Sequence, residues 1–115
     1  MKAFATPLVV LLAFLAAPAI GQHTFDCAKR SGVEKARCER HESMFAKCGS
    51  LKGDEHHACD REYLLANPLK CDRQPGEEAA RCAKEVAAFK TCQPQPGREF
   101  MRCVRQSTGE SPMGH

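Results

Sequence analysis

Eight cysteines stand at Cys27, Cys38, Cys48, Cys59, Cys71, Cys82, Cys92 and Cys103, so the steps between neighbours run 11, 10, 11, 12, 11, 10, 11. The run 27–59 and the run 71–103 are copies offset by 44 residues. Each copy divides again into two units of the form Cys-x4-Gly-x-Glu-x3-Cys: CAKRSGVEKARC, CGSLKGDEHHAC, CDRQPGEEAARC and CQPQPGREFMRC. A regular, even set of cysteines in a short chain specifies a covalent scaffold. It does not by itself specify a reaction.

The compartment follows from the other end of the chain. Residues 1–21 carry one charge at Lys2, an uncharged apolar run from Pro7 to Ala17, and small residues at Ala19 and Gly21 around Ile20. That is the pattern of a secretory signal peptide cleaved after Gly21. The apolar stretch is short for a membrane span and no second one follows, so no span is expected in the mature chain. Cys27 lies six residues past the cut, which is not where a lipid-anchored protein carries its cysteine. Cleavage leaves 16 Lys and Arg against 14 acids, a surplus of about +2 interleaved along the chain. This balance argues against nucleic acid as a partner.

Within each copy the segment between the inner cysteines has helical spacing. Cys38, His41, Phe45 and Cys48 recur at steps of 3, 4 and 3, and Cys82, Glu85, Phe89 and Cys92 repeat them. Both faces are expected to bury their phenylalanine. Turn residues precede the glycines, and the glutamate two places on sits where a first-turn carboxylate meets free backbone amides; Ser31 and Glu34 have capping-box spacing. Gly49, Asn67-Pro68 and the loop from Gln93 to Pro96 stop the helices. Helices are therefore predicted at 33–48, 54–66, 77–92 and 98–107, with a short helical turn before Cys27.

The fold class is all-α: a disulfide-stapled array of about four short helices, arranged as two homologous hairpins after a cleaved signal peptide. The cysteine-repeat domain covers 22–106. The Gly-, Ser- and Pro-rich residues 107–115 are expected to form a disordered tail. Five aromatic residues and no tryptophan in the mature chain make a thin core, so covalent staples must supply what burial lacks.

Spacing alone leaves the pairing open. The quarter-repeat favours Cys27–Cys38, Cys48–Cys59, Cys71–Cys82 and Cys92–Cys103, because each unit runs from a helix end to a point early in the next helix. A nested alternative keeps Cys48–Cys59 and joins Cys38 to Cys71.

Two segments, CERHESMFAKC and CAKEVAAFKTC, have the Cys-x9-Cys signature and resemble the twin-cysteine helical hairpin proteins of the mitochondrial intermembrane space. Those hairpins place their two helices next to each other and lack a secretory leader. The repeat as a whole, Cys27 to Cys103, resembles small periplasmic cysteine-repeat proteins of bacteria. Leu51-Lys52-Gly53-Asp54, and Phe100-Met101 before Cys103, are similar to motifs of the phosphate-starvation-inducible repeat proteins. The resemblance implies a bacterial envelope location, periplasmic or secreted, and supplies no activity.

Candidate chemistry is sparse. A thiol-disulfide enzyme needs a close CxxC pair, and none occurs. Cysteine-ligated zinc needs short ligand spacings that are also missing. The serines lack a strand-turn-helix context, and the glutamates are expected to serve as caps or to alternate with Arg37, Arg40, Arg61, Arg81, Arg102 and Arg105 on exposed faces. No catalytic residue and no cofactor is assigned. The leading expectation is a non-catalytic binding or structural module with a protein partner in the envelope or outside. The first alternative is a copper or zinc protein using His41, His56 and His57. The second is a small enzyme inhibitor presenting the proline-stiffened loop from Gln93 to Pro96.

Overall fold

The computed structural model describes residues 25–114, apart from isolated Ala3 and Ala5, so the leader expected over 1–21 lies outside the described residues. Four helices follow one another: α1 Gly32–Cys48, α2 Gly53–Ala66, α3 Gly76–Cys92 and α4 Gly97–Thr108. Each copy opens on a 3-10 turn, Cys27–Lys29 or Cys71–Arg73, and no strand is present among the described residues. The fold is all-α, as the helical spacing between the cysteines requires.

Each helix begins at a repeat glycine, for two different reasons. Gly32, Gly53 and Gly76 take φ of +59°, +60° and +51°, a left-handed entry that other residues rarely adopt. Gly97 does not share that conformation; a Cβ there would lie 2.9 Å from the backbone carbon of His57. The fourth glycine is thus set by the close approach of α4 to α2. None of the helices has a side-chain cap bond from its own N-cap residue, Ser31 included. Instead Glu78 of α3 reaches across, and the Val33 amide donates to its Oε2 at 2.8 Å. One repeat glutamate therefore caps the helix of the other copy.

The four disulfides join Cys27–Cys38, Cys48–Cys59, Cys71–Cys82 and Cys92–Cys103, with Cα separations of 5.4 to 5.7 Å. This is the local scheme, and no cysteine is left free. Each bridge closes a loop of 11 steps. Cross-linking loops of that size is worth roughly 3 kcal/mol each in the chain-entropy account. Four together come to about 12 kcal/mol, the scale of a typical whole domain's stability.

α4 packs against α2 and α3, and α1 packs against α2 and α3. Met44, Cys48, Leu64, Ala88, Phe89, Cys92, Phe100 and Val104 form the core between them. Phe89 and Phe100 stack at a tilt with ring centroids 5.4 Å apart. The matched phenylalanines do not behave alike: Phe89 is 4 % exposed and Phe45 37 %. Phe45 packs against Phe25 at 6.0 Å, on the rim of the molecule.

Charge also enters the interior. Arg37 and Arg40, expected on an exposed face, are buried beside Glu85, which is 1 % exposed. Arg37 Nε donates to Glu85 Oε2 at 2.7 Å, and Arg40 Nη2 lies 2.7 Å from Glu85 Oε1. That second contact is an ion pair without hydrogen-bond alignment, since Arg40 Nε and Glu85 Oε1 have no hydrogen-bond partner. Burial pulls the Arg40 guanidinium below its usual pKa, against the opposing pull of Glu85. The Phe89 ring lies under the same guanidinium at 5.4 Å.

The segment expected to be a disordered tail is packed as far as Gly114. α4 runs on to Thr108, Gly109 caps it with φ of +75°, and Pro112 and Gly114 are buried. Arg40 Nη2 donates to Pro112 O at 2.9 Å and Arg30 Nη1 to Gly114 O at 2.6 Å. Glu110 meets Arg81 at 2.5 Å and Arg37 at 3.5 Å. Gly, Ser and Pro mark absence of helix; here they permit a strap whose carbonyls accept from buried Arg40 and exposed Arg30. His115 lies outside the described residues.

Candidate functional site

The side chains with most chemical capacity gather where α2 faces α4. On α2, His56, Asp60 and Leu64 share one stripe, and 44 residues later Phe100, Val104 and Thr108 occupy the matching stripe of α4. Copy two buries an apolar pair where copy one holds a histidine and an acid. Asp60 is 4 % exposed. His56 Nε2 lies 3.1 Å from Asp60 Oδ2, and His56 Nδ1 lies 2.9 Å from the Cys48 carbonyl oxygen.

The hydrogen placement follows from the acceptors. A carbonyl oxygen can only accept, so Nδ1 carries a proton. Nε2 faces the Asp60 carboxyl at 3.1 Å, an ion-pair contact when the ring is charged. Burial raises the Asp60 pKa above the ordinary carboxylate value, and the neighbouring His56 and His57 partly oppose this.

A cavity of about 350 Å³ opens above this pair. Its far side is α4, which presents Arg98, Arg102 and Arg105, and Ser111 and Met113 of the C-terminal strap close one end. The three arginines are spaced i, i+4 and i+7, on one helix face. None of the three guanidinium groups makes a hydrogen bond or ion pair with a described residue. Like charges at such spacings oppose helix formation by about 0.2–0.5 kcal/mol per pair. The near-neutral total charge hid this stripe, which the spacing of Arg98, Arg102 and Arg105 could have revealed.

The same geometry limits what the site can do. His56 turns Nδ1 to the Cys48 carbonyl and Nε2 to Asp60, and no hydrogen bond joins it to Ser111, whose Oγ accepts from the Met113 amide at 3.1 Å. The histidines named as alternative metal ligands are differently placed. His56 and His57 are neighbours with ring centroids 5.6 Å apart, whereas His41 on α1 meets the edge of Phe25 at 5.1 Å. Among the described residues, no group of three or more His, Cys, Asp or Glu side chains is arranged to hold a metal ion.

Two other places complete the surface. A broad groove of about 1010 Å³ runs between α1 and the linker from Asn67 to Pro75, lined by Lys35, Lys70 and Arg73 but also by Glu39 and Glu78. On its α3 side Arg81 is held by Glu110, Glu34 and Glu78, which raise its pKa; the Val33 amide, then Arg81, holds the Glu78 carboxyl below its usual value, and Arg81 does the same for Glu110. The loop from Gln93 to Pro96 is exposed and braced: Arg61 Nε donates to Gln95 O at 2.8 Å and its Nη2 to Gln93 O.

No protein-family model, curated protein or solved structure matches this chain.

Proposed function

We propose that the protein is an exported binding module of the bacterial periplasm or exterior, acting through a pre-organised surface and without catalysis. One observation carries this reading: all eight cysteines are closed into four local bridges. Such bridges persist in oxidising compartments and are rare in the cytosol. A leader-like segment at residues 1–21 and the likeness to periplasmic cysteine-repeat proteins point the same way. Among the described residues no helix is long and apolar enough to cross a membrane. A bridge on every helix holds the surface in one conformation, which lowers the ordering entropy on binding.

The test is expression from the full sequence, followed by fractionation and intact mass without reductant. The expected product lacks residues 1–21, is found outside the cytosol, and is lighter than its reduced form by one hydrogen per cysteine. A cytosolic, leader-bearing product with free thiols contradicts the reading.

The enzyme-inhibitor reading is favoured by one feature, the bracing of the exposed Gln93–Pro96 loop by Arg61. A rigid protruding loop is what a competitive inhibitor presents to a cleft. Arg61→Ala would then weaken inhibition of an envelope hydrolase; equal inhibition by the variant removes this reading.

A further inference from the structure

We infer that the cleft between α2 and α4 binds a multiply charged oxyanion, a phosphate or sulfate group, clamped by Arg98, Arg102 and Arg105. This rests on the binding-module reading and names its ligand class.

Three features bring the site together. First, the three guanidinium groups share one face of α4 and have no partner among the described residues, so their donors are available. Planar, permanently charged forks suit oxyanions, which they contact bidentately. Second, Asp60, the one acid among the described residues that line the cavity, is 4 % exposed and faces His56 Nε2 at 3.1 Å, so little of its carboxyl reaches the cavity surface. Third, the strap at Ser111–Met113 turns a helix face into a concavity. The strap is itself anchored by Arg40 on Pro112 O and by Arg81 on Glu110. A volume of about 350 Å³ admits a small charged group rather than a folded partner.

The arrangement is peculiar to one side of the molecule. Forty-four residues earlier, the positions matching Arg98, Arg102 and Arg105 are Asp54, Ala58 and Arg61. The last of these is already committed to the Gln93–Pro96 loop. The cavity also holds His57, Met101 and Met113, donors that suit a soft cation. Three fixed positive charges oppose a cation, and His56 Nδ1 is held on the Cys48 carbonyl. Charge decides for the anion.

The experiment is an amide-resolved NMR titration of the oxidised mature chain in low salt. The probes are inorganic phosphate, inorganic sulfate, a phosphomonoester such as glucose 6-phosphate, and acetate as a singly charged control. Expected are saturable shifts confined to α2, α4 and the strap, with phosphate and sulfate at least about tenfold tighter than acetate. R98Q/R102Q/R105Q should weaken them at least about tenfold, the scale of one charge-assisted hydrogen bond. The charge-matched variant K35Q/R73Q/K90Q, altered at exposed positions away from the cleft, should bind as the wild type does. A phosphomonoester binding more tightly than the free ion identifies a phosphate carried on a larger molecule, and equal binding identifies the free ion; both support the site. Acetate matching phosphate, equal losses in the two triple variants, no saturable shift, or saturation by copper(I) in place of the anions overturns it. Export and full oxidation of a chain that binds no anion would leave the module reading standing.

Discussion

Copy one and copy two carry the same cysteine spacing, the same glycine at each helix start and the same helix lengths in α1 and α3, yet they divide the interior unequally. Copy two contributes Ala88, Phe89, Phe100 and Val104 to the core; copy one contributes Met44 and Leu64 and leaves Phe45 on the rim. The charges run the other way. Arg37, Arg40 and Asp60 are buried in copy one, against Glu85 alone in copy two. The difference teaches that when disulfides fix each helix start locally, side chains no longer have to reproduce one packing solution twice. One copy can specialise in apolar packing while the other carries polar groups, and the cleft at His56 and Asp60 is built from that divergence.

The largest expected effect tests the polar interior. Glu85→Ala leaves Arg37 and Arg40 buried without their carboxylate and should lower stability by about 3–5 kcal/mol in urea denaturation of the oxidised protein. The matching position in copy one is His41, an edge contact to Phe25. His41→Ala should change stability by less than about 1 kcal/mol. Similar losses for the two would erase the asymmetry.

The apolar side of the comparison comes next. Phe89→Ala removes a buried ring that touches Phe100 and Arg40 and should cost about 3 kcal/mol or more. Phe45→Ala, at a half-exposed position, should cost less than about 1 kcal/mol. The same denaturation midpoints measure both.

A transplant sharpens the comparison further. The double change His56→Phe with Asp60→Val writes the α4 pair into α2. Replacing a buried polar pair by apolar groups is neutral or stabilising by about 1–4 kcal/mol. His56→Ala alone leaves Asp60 buried without its partner and should destabilise by about 1–3 kcal/mol. If the double variant is less stable than His56→Ala, the two stripes are not interchangeable.

The smallest effect is in the pH dependence, where the two regions have opposite signs. Asp60 has a raised pKa in the folded state, so its contribution is present at acid pH and declines as pH rises from the ordinary carboxylate range through the raised value. Glu110 has a lowered pKa, chiefly from its hydrogen bond with Arg81. Its contribution is full above the ordinary carboxylate range and is lost as pH falls through the depressed value. Asp60→Asn should therefore remove a loss on the alkaline side, and Glu110→Gln a loss on the acid side, in denaturation midpoints followed across the carboxylate range.

Much of this organisation was legible in the chain. Helix starts at the repeat glycines, helix ends near Gly49 and Asn67, and the local pairing of Cys27 with Cys38 all follow from short-range rules. The unequal burial of Phe45 and Phe89 did not, because identical spacing says nothing about which neighbour arrives. Glu78 was read as a cap for its own helix; its partner, the Val33 amide, is 45 residues away. The strap was misread because composition registers Gly109, Ser111 and Pro112 as helix breakers and is blind to carbonyls that fit Arg30 and Arg40. The arginine face of α4 was visible as spacing, but the concavity that makes it a candidate site depends on that strap.

Underlying all of this is the claim that the sulfur bridges supply stability the thin core cannot. Far-UV circular dichroism of the mature protein, before and after complete reduction and alkylation under non-denaturing conditions, tests it most directly. The account predicts that the helical signal collapses once the four bridges are open. A reduced chain that keeps its full helical signal would contradict it.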